Sequence, residues 1–253
     1  MSMSYLIQAV RDEQVVERGT AWFLDAQTVV TAFHVVGDKH SGEWLSTKLP
    51  ALEYRLMVGA EPMPLTPLDA DATADVALLT PARTPAEVQG VPLAETEGSP
   101  SGAAWQSAGF PAFHDGVFRL HGTLTPGDAT HPARAMQLTM AQGTRIDWNG
   151  ISGAPVWSEE RVVGLITCET ADVDTVWATS AMAIRRLYER HRPSPRRQRT
   201  TRHDMLRRIV QQLQLDDCPG VALLEPLRFD APASLTSSSH TCKTPRGACW
   251  RCA

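Results

Sequence analysis

Three residues of this sequence could combine into an activated nucleophile: Ser152, His34 and Asp75. Ser152 lies in "DWNGISGAPVW", residues 147–157, between Gly150 and Gly153. A serine hydroxyl attacks poorly at neutral pH. It needs a base to take its proton and a third group to orient that base. Histidine is the usual base, since its free imidazole titrates near neutrality. His34 closes the β-branched run "VVTAFHVVG", and Asp75 opens the aliphatic run "DVALLTP". Both read as strand-edge positions, where one polar side chain can face a cleft while its neighbours are buried. Taken singly, each has an ordinary reading: a glycine-flanked turn serine, a satisfied core histidine, a turn or cap aspartate. Asp69 and Asp71 rival Asp75, but only Asp75 directly precedes the aliphatics. His114, His121 and His131 read as solvated and receive no role.

The elements that must position these residues are strands. "YLIQAV", "GTAWFLD", "TVVTAFHVV", "EYRLMVG", "DVALLTP", "AAWQSAGFP", "GVFRLHGTL", "AMQLTM", "RVVGLITCE" and "TVWATS" follow one another between glycine, proline and aspartate punctuation. Only "AQ" separates Asp25 from Thr28, so the second and third runs predict a hairpin. No βαβ alternation is present, and the pattern points to a barrel or a sandwich. After about Ser180 the apolar spacing of Met182, Ile184, Leu187 and Tyr188 predicts a terminal helix. The strand-rich region with its terminal helix is therefore placed at residues 1–192, a basic linker at 193–202, a short helical extension at 203–229 and a disordered tail at 230–253.

Composition narrows the function classes. The chain has 253 residues, 43% hydrophobic and 21% charged, with a net charge of −4. It does not advertise nucleic-acid binding as a whole. Arg185 to Arg208 nevertheless carries ten arginines against Glu189 and Asp204, read as a solvated helix face and linker. No run of about 18 apolar residues suggests a membrane span. The first residues show no secretory leader, and the five cysteines do not form a disulfide framework, so a cytoplasmic setting is expected. His240, Cys242, Cys249 and Cys252 could supply zinc ligands, but no apolar core surrounds them and a disordered tail is the default reading. No metal or organic cofactor is expected.

With "GTAWFLDAQTVVTAFHVVG" (19–37), "DVALL" (75–79), "AGFP" (108–111) and "GISGAPVWSEERVVGLIT" (150–167) in this order, the chain resembles the trypsin-like, chymotrypsin-fold serine peptidases, and more the compact bacterial and HtrA-type members than the digestive enzymes. The resemblance covers roughly residues 5 to 190. It implies an all-β fold of two six-stranded antiparallel barrels with a C-terminal helix. It also implies a triad of His34, Asp75 and Ser152, and an oxyanion hole made by the backbone N–H groups of Gly150 and Ser152. Digestive members carry an aspartate before the serine that pairs with a newly cut N-terminus. Ile151 stands here and cannot form that pair. Ala154 replaces a glycine found in many relatives.

The substrate pocket implied by the resemblance involves Ile146, Asp147 and Thr167. Ile146 argues for small or medium apolar side chains, an expectation that an inward-pointing Asp147 would reverse. The implied activity is cleavage of protein or peptide substrates, in a regulated intracellular module of a bacterial stress or defence system. A regulatory partner would bind through the C-terminal extension. The alternative of a different class is a catalytically silent binding module on the same fold.

Overall fold

The computed structural model describes residues 4–85, 88, 90–95, 101–128, 130–141, 148–169 and 175–191. The chain divides into Met1–Pro193 and Ser194–Ala253, and everything described belongs to the first unit. The predicted linker, extension and tail, with the His240, Cys242, Cys249 and Cys252 cluster, lie outside the described residues.

The strands are β1 (Ser4–Arg11), β2 (Gln14–Asp25), β3 (Thr28–Ala32), β4 (Gly37–Asp38), β5 (Glu43–Trp44), β6 (Leu52–Val58), β7 (Glu61–Asp71), β8 (Val76–Pro81), β9 (Ala103–Gly109), β10 (Phe118–Pro126), β11 (Met136–Met140), β12 (Pro155–Ser158), β13 (Arg161–Glu169) and β14 (Thr175–Ser180). One-turn helices α1 (Phe33–Val36) and α2 (Leu45–Lys48) interrupt the first half, and α3 (Ala181–Glu189) ends the second. Two closed antiparallel barrels result. Their strand orders are β1-β2-β3-β8-β7-β6 and β10-β11-β14-β13-β12-β9. The sandwich alternative is thereby excluded, and closure leaves no long strand edge unpaired.

Alternation explains why these runs close into barrels. In β11, Met136, Leu138 and Met140 are buried while Gln137 and Thr139 are half-exposed. The same period-two pattern in β6 buries Leu52, Tyr54 and Leu56. One core gathers Ile7, Trp22, Val30, Leu56, Met63 and Leu78, and the other Leu120, Leu124, Leu138, Ile151, Ile166 and Val176. Helix α3 starts at Ser180, whose hydroxyl accepts from the Ala183 N–H, and turns Ile184 and Leu187 into the first core.

Two elements depart from the sequence reading. Strand β7 contains Pro62, Pro64 and Pro67, residues that argue against a strand. The register shows why it forms. Pro64 directs its carbonyl away from β6, toward Ala82, whose N–H donates to it at 3.0 Å. Pairing with β8 begins only at Leu65, opposite Pro81. Pro62 and Pro64 therefore sit where no N–H is required. The second departure is that the run ending in His34 is not one strand. β3 stops at Ala32, and residues 33–36 form α1. The first two N–H groups of that turn are taken by Asp75: Phe33 N–H donates to its carbonyl at 3.1 Å and His34 N–H to its carboxylate Oδ1 at 2.9 Å. Tertiary capping outweighs the strand preference of Val35 and Val36.

Candidate active site

The capping interaction also sets the geometry of the His34–Asp75 pair. Asp75 is completely buried and has a left-handed backbone, φ +58°. Aspartate tolerates that region better than most residues, because its short polar side chain can hydrogen-bond nearby. Its carboxylate meets the ring of His34, with Nδ1 2.9 Å from Oδ2 and 3.2 Å from Oδ1. The backbone of His34 holds Oδ1. A ring anchored through Nδ1 leaves Nε2 as the nitrogen available for a proton. The side chain of His34 is 32% exposed, so solvent or substrate reaches it. Asp69 does not compete: it pairs with His191 at 2.7 Å and Arg190 at 3.3 Å. Asp71 closes its own turn by accepting from Thr73 and Ala74.

Two supports of this half were not picked out in the sequence reading. Lys39 places Nζ 2.5 Å from Asp75 Oδ2. Tyr54 donates its hydroxyl to the Val36 carbonyl at 2.6 Å and accepts from Ser46 N–H at 2.9 Å, bracing α1 from below. Burial pushes the Tyr54 phenol up, so it stays a donor across the ordinary pH range.

Ser152 is built differently. It sits in a turn between β11 and β12, where Ile151 N–H donates to the Trp148 carbonyl and Ala154 N–H to that of Ile151, each at 3.0 Å. Ile151 is completely buried in the second core. The residue that replaces an ion-pairing aspartate thus anchors the turn by apolar packing. Gly150 and Gly153 have φ +95° and +94°, conformations costly for any other residue here. A Cβ on Gly153 would lie 1.9 Å from the Thr20 carbonyl oxygen and 3.0 Å from Ala32 N, two residues before His34. The glycine is what lets the Ser152 turn lie against β2 and β3.

Thr20, in β2, fastens that contact. Its N–H donates to the Ser152 carbonyl at 2.8 Å. Its hydroxyl donates to the Gly150 carbonyl at 2.8 Å and accepts from Phe110 N–H at 3.0 Å. One buried threonine therefore links the Ser152 turn, the segment after β9 and the barrel that carries His34. Arg18 adds to it, with its guanidinium 3.4 Å and 3.3 Å from the Phe110 and Pro111 carbonyls. A threonine beside a glycine carries no distinguishing sequence signal. Lys39 did carry one: it is one of three lysines among 21 arginines, five residues past His34.

The N–H groups of Gly150 and Ser152 donate to no protein acceptor among the described residues. No hydrogen bond joins Ser152 to His34 among the described residues either. Ile146 and Asp147 lie outside the described residues. Thr167 is completely buried, with its hydroxyl 2.6 Å from the Ala133 carbonyl and 3.2 Å from that of Trp177. Its hydroxyl is thus taken up by the turn at Pro132–Arg134 and by β14. Among the described residues no cluster of His, Cys, Asp and Glu could hold a metal ion, and no helix is long and apolar enough to cross a membrane.

Solved structures share this architecture. The Rv3671c protease of M. tuberculosis in its active form superposes with a TM-score of 0.56 at 17% identity, over 74% of this chain and 79% of that one. Deg5 gives 0.53 at 16% identity, over 72% and 85%. A serine endoprotease from Yersinia pestis gives 0.56 at 15%, over 74% and 61%. At these identities the likeness carries the fold alone. No curated protein matches the sequence. The family model described as a trypsin-like peptidase domain matches residues 19–165, more than half of the chain. The chain belongs to the trypsin-like peptidase domain family.

Proposed function

We propose that this chain is a serine endopeptidase that works through Ser152, His34 and Asp75. The observation that carries the reading is the contact between His34 Nδ1 and the buried Asp75 carboxylate, made by residues 41 apart in sequence. In the proposed cycle, Ser152 Oγ attacks the scissile carbonyl and its proton passes to His34 Nε2. Asp75 stabilises the imidazolium that forms. The carbonyl oxygen becomes an oxyanion and takes hydrogen bonds from the N–H groups of Gly150 and Ser152. Collapse expels the amine, which takes the proton from His34 and leaves an acyl-Ser152 ester. Water, deprotonated by His34, then hydrolyses the ester and regenerates the hydroxyl. No metal or organic cofactor takes part.

The substrate is a protein or peptide, and Ile146 favours a small or medium apolar side chain before the scissile bond. Regulation through a partner held by residues 193–253, a cytoplasmic location and a place in a bacterial stress or defence system complete the proposal. They rest on the sequence resemblance and, for the location, on the reading of the first residues and the cysteines. A silent binding module is the second reading, favoured by the lack of a Ser152–His34 hydrogen bond among the described residues. Such bonds are often long in free enzymes and tighten around substrate. Fluorophosphonate labelling of the full chain beside Ser152→Ala, read by intact mass, separates the two. One adduct on the natural chain and none on the variant supports the enzyme. A chain that takes no adduct, alone or with candidate partners present, is the silent module.

A further inference from the structure

We infer that Lys39 is a positioning residue of the acid–base pair, holding the Asp75 carboxylate in charge balance and in line with the His34 ring. The inference rests on the reading of His34 and Asp75 proposed above. Asp75 has no solvent exposure at all, and a carboxylate taken out of water requires donors and a compensating charge. Its partners divide by oxygen. Oδ1 takes the backbone N–H of His34 at 2.9 Å, and Oδ2 takes His34 Nδ1 at 2.9 Å and Lys39 Nζ at 2.5 Å. Lys39 supplies a formal positive charge in direct contact with this carboxylate.

The surrounding loop directs Lys39 to that place. Lys39 follows Asp38 in the hairpin of β4 and β5, where Gly42 N–H donates to the Asp38 carbonyl at 2.8 Å and His40 N–H to the Asp38 carboxylate at 2.8 Å. The adjacent carboxylate of Asp38 could have captured Lys39, but Lys48 already pairs with it. Lys48 also reaches Glu43 at 3.7 Å. The acids on the hairpin are thus held by one lysine, and the other is left for Asp75. An ammonium suits the position better than a guanidinium. Its point contact occupies one oxygen, whereas an arginine fork would engage both and compete with the ring.

Two effects of Lys39 oppose each other during reaction. It orients Asp75, which helps His34, and it repels the imidazolium that forms, which hinders it. The side chain of Lys39 is 36% exposed, so water screens its charge toward the ring, while the carboxylate it touches has no water to replace it. Orientation therefore outweighs repulsion, and losing the ammonium slows acylation.

The test uses the full chain, Lys39→Met, which keeps the apolar stem, and Lys39→Gln, which keeps a neutral donor. Progressive fluorophosphonate inactivation gives a maximal rate and a half-saturation constant. Proton NMR of the histidine-labelled chain reads the His34 Nδ1 proton, which resonates far downfield when bonded to a carboxylate. Lys39→Met is expected to lower the maximal rate about tenfold or more at an unchanged half-saturation constant. It is also expected to shift or broaden the downfield resonance. A maximal rate equal to or above that of the natural chain overturns the inference. So does a slower rate with the resonance unmoved, since the effect would then bypass the Asp75–His34 pair. If Lys39→Met loses its near-ultraviolet circular dichroism, Lys39→Gln decides: a natural rate overturns the role of the charge, and a slower rate with a moved resonance supports it. If the natural chain takes no adduct, the endopeptidase reading has failed instead. The resonance then decides alone: a shift in Lys39→Met supports the positioning role, and an unmoved line overturns it.

Discussion

The two barrels hold their parts of the site by opposite means. The first barrel fixes His34 and Asp75 through side chains and charge: a buried carboxylate, a ring, an ammonium and a phenol below them. The second fixes Ser152 through backbone: two left-handed glycines, a run of turn hydrogen bonds and a buried Ile151 as anchor. The difference teaches where each half can fail. A carboxylate–imidazole pair survives small backbone shifts and fails when a charge is removed. A glycine turn is indifferent to nearby charge and fails when a single methyl is added.

The methyl is the harder blow. Gly153→Ala would bring a Cβ to 1.9 Å from the Thr20 carbonyl and force a left-handed alanine. The turn must leave its seat on β2 and β3. Fluorophosphonate labelling is expected to fall to the background set by Ser152→Ala. The denaturation midpoint should drop by an amount worth roughly 2–4 kcal/mol. A labelled Gly153→Ala at natural stability would show that the turn does not depend on this contact.

Asp75→Asn strikes the other half while sparing the fold. Asparagine tolerates the left-handed backbone and still offers an oxygen to cap α1. The amide, however, no longer stabilises the imidazolium and can accept the wrong ring tautomer. A loss of roughly a thousandfold to ten-thousandfold in acylation rate is expected, with little change in thermal midpoint. Rate without stability in Asp75→Asn, and both together in Gly153→Ala, would be the contrast between the halves in one experiment.

Thr20→Val probes the seam where the halves meet. Valine matches the shape and removes the hydroxyl, leaving the Gly150 carbonyl without its donor and Phe110 N–H without its acceptor. Each orphaned buried group costs about 1–3 kcal/mol, so the equilibrium stability should fall visibly in a urea titration. Acylation should slow by about tenfold, because the Gly150 carbonyl fixes the peptide plane of the turn. Thr20→Ser, which keeps the hydroxyl, should recover most of both. Recovery of neither would place the seam elsewhere.

Legibility in the sequence follows the same division. The strand runs of both barrels were readable because their apolar residues alternate, as at Met136, Leu138 and Met140. The turn around Ser152 was readable because a glycine turn leaves glycines in the sequence. What was lost is what depends on contacts between distant segments. The prolines of β7 spoke against a strand that forms because Pro62 and Pro64 fall where the ladder asks for no N–H. The helical turn holding His34 was hidden by β-branched neighbours, since its cap, Asp75, lies 41 residues away. Thr20 and Tyr54 look ordinary until their partners are known. Local pattern encodes the barrels, and long-range capping encodes the site.

The smallest effect belongs to the rim of the first barrel. Lys48 and the backbone around His40 hold Asp38 from its ordinary 3.8 down to about 2. A carboxylate whose folded value is depressed contributes stability that is complete above its unfolded value and is lost as pH falls through the folded one. The thermal midpoint of the natural chain should therefore exceed that of Asp38→Asn from neutrality down to about pH 4. The gap should narrow between 3.8 and about 2, and close below that range. The pair is open to solvent, so the gap is small at every pH and shrinks in salt. Acylation at neutral pH should stay within about twofold of the natural rate, because Asp38 touches neither His34 nor Asp75. A larger loss would mean that Lys48, released from Asp38, redirects Lys39. The charge arrangement of the first barrel would then extend from its buried carboxylate to its surface hairpin.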